Sequence, residues 1–339
     1  MTRSPKMTLA AIAAAVVASL AACSDFYDNA EAINPSSGNE DLSWTASALP
    51  SSSSQSYYCV TYGDGKFIAA GDGSTIAVST DGINWTADDI IQNPIPYSNC
   101  WYSSSYGNGT FVMVDLNYNE AATSTDGGET WTRRTLPDIG APGYSTLTYG
   151  NGRFVALGTN GTNAAYSTDG ITWTASTLPS SRNWHSVAAG DGLFVAVSLG
   201  SDAAAYSSDG ITWNASTLPS SQDWFSVTYG NGIFVAVSDN AYSASTNTSG
   251  AAAFSTDGIN WTASSLPPLP GTQRWWSVTY GGGVFLAVTY TYETVATSTD
   301  GQNWTAWTLP DSAPWRSSTY GNGTFVAVSD NGKAVAGSQ

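Results

Sequence analysis

The chain has 339 residues, 42% hydrophobic and 11% charged, enough for one large domain or two ordinary ones with a sizeable core. Glycine (34) and tryptophan (14) are abundant, and ten Lys and Arg against 26 Asp and Glu leave a formal charge of −16. No stretch beyond the N-terminus keeps a helical period, which excludes a helical fold, and a polyanion of this size repels nucleic acid and anionic lipid headgroups alike. The composition therefore predicts many short strands joined by tight turns.

The first predicted element is an export leader. Arg3 and Lys6 are followed by an apolar run from Met7 to Leu20, too short to span a bilayer comfortably. Leu20-Ala21-Ala22-Cys23 comes next and resembles the lipobox of bacterial lipoproteins. The resemblance implies cleavage after residue 22 and a lipid on Cys23. Ser24 beside it implies passage to the outer membrane or cell surface rather than retention at the inner membrane. Loss of residues 1–22 removes Arg3 and Lys6 and takes the charge from −16 to −18. Residues 23–41, polar and holding Pro35 and Gly38, are expected to be a flexible tether.

From residue 42 onward one motif repeats. Y-G-x-G-x-F begins at Tyr62, Tyr106, Tyr149, Tyr229, Tyr280 and Tyr320, and Ala189 takes the Tyr place in one further copy. The glycine after that position falls at 63, 107, 150, 190, 230, 281 and 321, with spacings of 44, 43, 40, 40, 51 and 40. Periods of this length with strand chemistry predict an all-β, seven-bladed β-propeller of four-stranded blades over 42–339. Within one repeat, Ser226–Tyr229, Ile233–Ser238, Ala252–Thr256 and Asn260–Thr262 are expected as the four strands. Leu266-Pro267 then leads out, the proline stopping the pairing. The last repeat lacks its fourth strand, and Asp41–Pro50 supplies the missing sequence, so the N-terminal strand is expected to close the last blade.

The turn before each repeated tryptophan resembles the Asp-box (BNR) repeat of sialidase-like propellers, S-x-D-x-G-x-x-W. Ser124–Trp131 matches in full, and the other copies, such as Ser79–Trp85, lack one residue between Asp and Gly. The resemblance implies a structural role for Asp81, Trp85, Asp126, Trp131, Asp169, Trp173, Asp209, Trp213, Asp257, Trp261, Asp300 and Trp304. The Asp and Ser side chains would satisfy turn amides, with the Trp packed beneath. The family holds hydrolases, lectins, receptors and assembly factors, so the fold does not choose a function.

Catalytic chemistry finds little support. The F/Y-R-I-P motif of sialidases is absent, and no Arg recurs at one repeat position. Loop acids at Asp72, Asp115, Asp202, Asp239, Glu293 and Asp330 leave open a pair of opposed carboxylates, or acids that only cap turns. His185 is the only histidine, so zinc has too few ligands, and no D-x-D-x-D spacing points to calcium; no metal or cofactor is expected. Cys59 and Cys100, in an oxidising compartment, either form a disulfide or stay a buried free pair, since their registers differ by three residues.

One ring of positions varies. Six residues before each repeat glycine stands a large aromatic: Tyr57, Trp101, Tyr144, Trp184, Trp224, Trp275 and Trp315. These are expected to pack between blades. The next position holds Tyr58, Tyr102, Ser145, His185, Phe225, Trp276 and Arg316, a mixture that packing does not explain. Tyr58, Tyr102, His185, Phe225, Trp276 and Arg316, with Asp239 and Asn240 from the insertion that follows, are therefore the candidate ligand-binding residues at a channel mouth. The leading expectation is a surface-anchored, non-catalytic, monomeric propeller that binds carbohydrate. A protein-binding or assembly scaffold and a glycan hydrolase using loop carboxylates are the alternatives.

Overall fold

The computed structural model describes residues 42–50, 55–89, 99–140, 142–239, 250–268, 274–290 and 292–338. Among them are 26 strands and no helix. β1 (Ser43–Ala48) comes first, then β2 to β5 (Tyr57–Gly63, Lys66–Gly71, Thr75–Ser79, Thr86–Asp89) and β6 to β9 (Trp101–Gly107, Thr110–Asp115, Glu120–Ser124, Thr132–Thr135). β10 to β12 (Tyr144–Gly150, Arg153–Gly158, Gly161–Ser167) lead to the long β13 (Thr174–Gly190). β14 and β15 (Leu193–Leu199, Ser201–Ser207) lead to the equally long β16 (Asn214–Gly230). β17 to β19 (Ile233–Asp239, Ala251–Ser255, Thr262–Ser265), β20 to β23 (Trp275–Gly281, Val284–Thr289, Thr294–Ser298, Thr305–Thr308) and β24 to β26 (Trp315–Gly321, Thr324–Ser329, Lys333–Ser338) complete the chain.

The strands pair as antiparallel meanders of four. β2–β5, β6–β9 and β20–β23 are separate sheets, and β10 to β19 form one continuous run. The run is continuous because β13 and β16 each serve two meanders. Thr174–Thr177 pairs with β12, and Asn183–Gly190 pairs with β14. Leu178-Pro179-Ser180-Ser181 carries no ladder partner apart from the offset pair Gly161 with Arg182. Leu266-Pro267 leads out after β19 as expected, whereas at Leu178-Pro179 the chain stays extended into the next meander. The expected fourth strand also shifts: Asn260 and Trp261 belong to the turn, and β19 starts at Thr262 because Trp261 packs beneath the turn rather than pairing.

β1 pairs antiparallel with β26, Ser43 opposite Ser338 through Ala48 opposite Lys333. The N-terminal strand is therefore the fourth member of the β24–β26 sheet. The core lies between meanders, not within one. Trp101, Phe111 and Met113 pack on Ile68, Ala70 and Ile76 of the preceding sheet. Tyr57 and Phe67 pack on Val326, Val328 and Ala336, so the first meander covers the last.

The Y-G repeat has a steric cause. A Cβ on Gly230 would lie 1.9 Å from Cγ of Tyr280, and one on Gly63 would lie 2.1 Å from Cγ of Tyr106. Each repeat tyrosine lies flat on the glycine of the preceding inner strand, and only glycine leaves the room. The series returns to its start, for Gly321 receives Tyr62 with 2.0 Å to an added Cβ. Gly150 faces Ala189 instead of a tyrosine.

Candidate functional site

At the far end of the inner strands every meander carries a β-bulge. The register shifts between Tyr57 and Cys59, Trp101 and Ser103, Tyr144 and Thr146, Trp184 and Ser186, Trp224 and Ser226, Trp275 and Ser277, and Trp315 and Ser317. The extra, unpaired residue is the variable one in each case. A bulge re-aims the side chain it carries. Here all seven are turned to one place: Tyr58, Tyr102, Ser145, His185, Phe225, Trp276 and Arg316 line a single cavity of about 120 Å³. The preceding aromatics keep their packing role, with Tyr57, Trp101, Tyr144, Trp184, Trp275 and Trp315 fully buried.

The rings at the mouth touch one another. Phe225 stacks on Trp276 at 4.2 Å between centroids, and Trp276 lies 4.9 Å from Tyr290. His185 meets Phe225 edge-on at 4.9 Å and Tyr102 at 6.2 Å. Tyr58 lies 5.9 Å from Tyr102. The guanidinium of Arg316 sits 4.4 Å from the Tyr290 ring and 4.8 Å from Trp276, a cation over aromatic faces. Its Nη2 donates to Asp330 Oδ2 at 2.8 Å and to the Tyr290 hydroxyl at 3.1 Å, and Nε donates to Asp330 at 3.0 Å. The mouth is thus lined on one side by a stacked cluster of Phe225, Trp276, Tyr290 and Arg316.

Burial favours the neutral forms of the Tyr58 and His185 side chains. Burial, reinforced by the Asp72 carboxylate, pushes the Tyr58 phenol up to about 12, and its hydroxyl donates to Asp72 Oδ2 at 2.9 Å. Burial holds the His185 imidazole below its usual value. His185 Nδ1 is 2.8 Å from the carbonyl of Phe225, which only accepts, so Nδ1 carries the proton. Nε2 keeps its lone pair, 3.5 Å from the Tyr102 hydroxyl.

Beneath the bulge residues lies a tier that the sequence reading overlooked. Ser103, Thr146, Ser186, Ser226, Ser277 and Ser317 line the same cavity, and each accepts a main-chain N–H of the next inner strand. The signal was present, for the fourth residue before the repeat glycine is Ser or Thr in six copies. The seventh copy is Cys59, whose thiol instead donates to the carbonyls of Trp101 (3.5 Å) and Ala70 (3.6 Å). Tyr290 was also overlooked, since it lies in a loop outside the repeat.

The remaining candidates fall elsewhere. Asp115 is fully buried and caps its own loop, accepting from Asn117 N at 2.7 Å, Tyr118 N at 2.9 Å and Cys100 N at 3.0 Å. Asp330 is committed to Arg316 and Asp72 to Tyr58, and no carboxylate lines the cavity among the described residues. Asp239 ends β17, opposite Asp223, while Asn240 and the insertion after it lie outside the described residues. Cys23 lies outside them too. Cys59 and Cys100 are free and buried, so of the two alternatives left open by the sequence the structure has the unbonded pair. Among the described residues no group of three or more His, Cys, Asp or Glu side chains gathers to hold a metal.

The repeated turns on the opposite face hold their acids as caps. Asp81 Oδ1 accepts from Ile83 N and Asn84 N, each at 2.8 Å, and Ser79 Oγ accepts from Gly82 N at 2.8 Å. Trp85 Nε1 donates to the Gly82 carbonyl at 3.0 Å. The pattern recurs at Asp169 and Asp300.

No family model matches the chain, and no curated protein matches it in sequence. Solved structures do resemble it. A virginiamycin B lyase from Staphylococcus aureus aligns with 88% of this chain and 100% of its own, with a TM-score of 0.74 and 15% identity. YCF48, solved with a D1 peptide bound, aligns with 87% of this chain and 97% of its own, with a TM-score of 0.66 and 15% identity. PorZ, a bacterial surface component of the type-IX secretion system of Porphyromonas gingivalis, aligns with 86% of this chain and 37% of its own, with a TM-score of 0.58 and 11% identity. At such identities the likeness is one of architecture: the chain is a β-propeller, and the propellers it resembles include an enzyme and a peptide-binding protein.

Proposed function

We propose that the chain is a non-catalytic recognition propeller of seven Asp-box-type blades that binds carbohydrate in the mouth cavity, as a monomer anchored to the cell envelope through a lipid on Cys23. The observation that carries the binding site is the ring of bulges. Seven equivalent backbone distortions aim seven unlike side chains at one cavity, and nothing in the packing between sheets calls for them to differ. The carbohydrate reading rests on chemistry. Phe225 and Trp276, half-buried and stacked on each other, bring apolar ring surface to the cavity wall for sugar C–H groups, and the hydroxyl tier offers hydrogen bonds to sugar oxygens. The lining holds no carboxylate pair for glycoside hydrolysis.

The test is glycan-array binding by the full protein, with melting measured on the same samples. Trp276→Ala is expected to weaken binding at least about tenfold, or 1.4 kcal/mol, and to leave the fold in place. A protein ligand is the second reading, favoured by the neighbour solved with a D1 peptide. A protein that binds no glycan yet captures a peptide ligand at the same mouth would move the assignment there. An unmodified Cys23 in the mass spectrum of the exported protein would remove the lipid anchor from the proposal.

A further inference from the structure

The hydroxyl tier has a direction. Leu147 N donates to Ser103 Oγ at 3.0 Å, Val187 N to Thr146 Oγ1 at 3.2 Å, and Val227 N to Ser186 Oγ at 3.1 Å. Val278 N donates to Ser226 Oγ at 3.1 Å, and Val60 N donates to Ser317 Oγ at 3.2 Å. Each of these hydroxyls uses one of its own lone pairs to accept an N–H of the neighbouring strand and keeps its proton to donate. Ser277 Oγ likewise accepts from Ser318 N at 3.2 Å but also meets Ser318 Oγ at 3.0 Å, so the cavity presents five O–H donors at one register position beside a sixth hydroxyl already paired with another. Above them, in the wall, His185 Nε2 is a fixed acceptor, because Nδ1 holds the proton against the Phe225 carbonyl.

Charge narrows the ligand further. Among the described residues Arg316 is the only cation in the lining, and its Nε and Nη2 are already given to Asp330 and Tyr290. A carboxylate would have to compete with Asp330 for it, inside a chain of formal charge −16. Shape narrows it again. The cavity is bounded by residues of all seven inner strands, and its volume of about 120 Å³ is the room of about four waters, or about one small ring.

We infer that the cavity takes its ligand end on, and that the group it takes is an uncharged chain-terminal sugar whose oxygens accept from the Ser103, Thr146, Ser186, Ser226 and Ser317 hydroxyls. This rests on the carbohydrate reading and adds to it which part of the glycan is read and what charge it bears. A terminal unit fits a well ringed by all seven inner strands; an interior segment needs a groove open at both ends.

The experiment is calorimetric titration of the full protein with neutral linear oligosaccharides of increasing length from the cello-, xylo- and malto-series. Cyclic maltoheptaose is compared with the linear form, and oligogalacturonides serve as the acidic counterpart. Affinity is expected to level off within the first few units, the cyclic form to bind at least about tenfold more weakly, and the acidic series to bind more weakly than the neutral ones. Affinity that keeps rising with length, or a cyclic form as good as the linear one, overturns end-on capture and leaves the carbohydrate reading standing. Tighter binding of oligogalacturonides overturns the neutral terminus. Silence with every saccharide overturns both the inference and the reading it rests on. Two variants test the donors directly. Ser226→Ala is expected to lose about three- to tenfold in affinity, and Ser226→Thr to retain it, because Thr146 already stands at the same place in its own strand. Ser103→Ala repeats the test on another strand. Wild-type affinity in both alanine variants overturns the donor tier.

Discussion

The two ends of the same inner strands obey different rules. At the glycine end, the residues repeat because each tyrosine must lie on a glycine, and a Cβ there would stand 1.9–2.1 Å from a ring carbon. At the mouth end, the backbone repeats just as faithfully, with one bulge in every strand, but the bulged residue is Tyr, Ser, His, Phe, Trp or Arg. Repetition of a side chain marks packing. Repetition of a backbone distortion without its side chain marks a scaffold that presents something. Ala189, the one interruption at the glycine end, lies against Gly150 with its Cβ in the space that a ring fills elsewhere.

The largest expected effect comes from placing a side chain under a ring. Gly230→Val forces a Cβ into Tyr280 and should cost about 3 kcal/mol or more. Gly321→Val does the same against Tyr62, the contact that joins the last inner strand to the first. Equal losses in thermal melting are expected for the two. If Gly321→Val melts like wild type, the strands do not close into a ring of seven. Tyr58→Phe at the mouth end removes only the hydroxyl bond to Asp72 and should shift stability by less than about 1.5 kcal/mol.

A smaller effect separates the two faces by pH. Asp81, Asp126, Asp169, Asp209, Asp257 and Asp300 in the turns all have carboxyls held below the usual range. For Asp126 the Thr130 hydroxyl and amide bring the value to about 2. For Asp300 burial works against ionisation, yet the Asn303 and Gln302 bonds outweigh it and also bring it to about 2. A depressed folded value means stability that is complete above the unfolded value near 3.9 and lost as pH falls through the folded one. The urea midpoint should therefore fall from about pH 4 to about pH 2. Asp115 opposes the trend, since burial lifts its carboxyl, but it is one against six. These turn acids are exposed, so each contributes little alone. A midpoint that stays flat across that window would show that the caps do not carry stability.

Most of the scaffold could be read from the chain because its causes are local. The tyrosine–glycine pairs, the turn acids and the strand that completes β24–β26 are each written in a few consecutive residues. The bulges could not be read, because a bulge is a mismatch between two strands and neither strand alone carries it. Nor could the long strands be read, for at Pro179 and Pro219 pairing stops for a few residues while the strand runs on to a second partner. The variable ring was visible as variation, but its mutual stacking was not. Arg316 meets Asp330 and Tyr290 only because two loops of different repeats converge over the mouth.

The smallest expected effect concerns the one member of the lower tier that breaks its rule. Cys59 stands where the other strands carry Ser or Thr, and by register its partner would be the amide of Ser104. The thiol turns instead to the Trp101 and Ala70 carbonyls. Burial pushes the Cys59 thiol up to about 11, so little thiolate exists at neutral pH and the group is inert while the protein is folded. Cys59→Ser should restore the seventh hydroxyl, accept the Ser104 amide and raise stability by about 0.5–1 kcal/mol. In the wild type, iodoacetamide should alkylate Cys59 and Cys100 only after denaturant is added, for both are buried. Rapid labelling of the folded protein would mean that the tier opens to solvent and that its hydroxyls are not held in the order described. A loss of stability in Cys59→Ser above about 1 kcal/mol would mean instead that the larger sulfur fills space a serine leaves empty, and that packing rather than hydrogen bonding fixed the residue there.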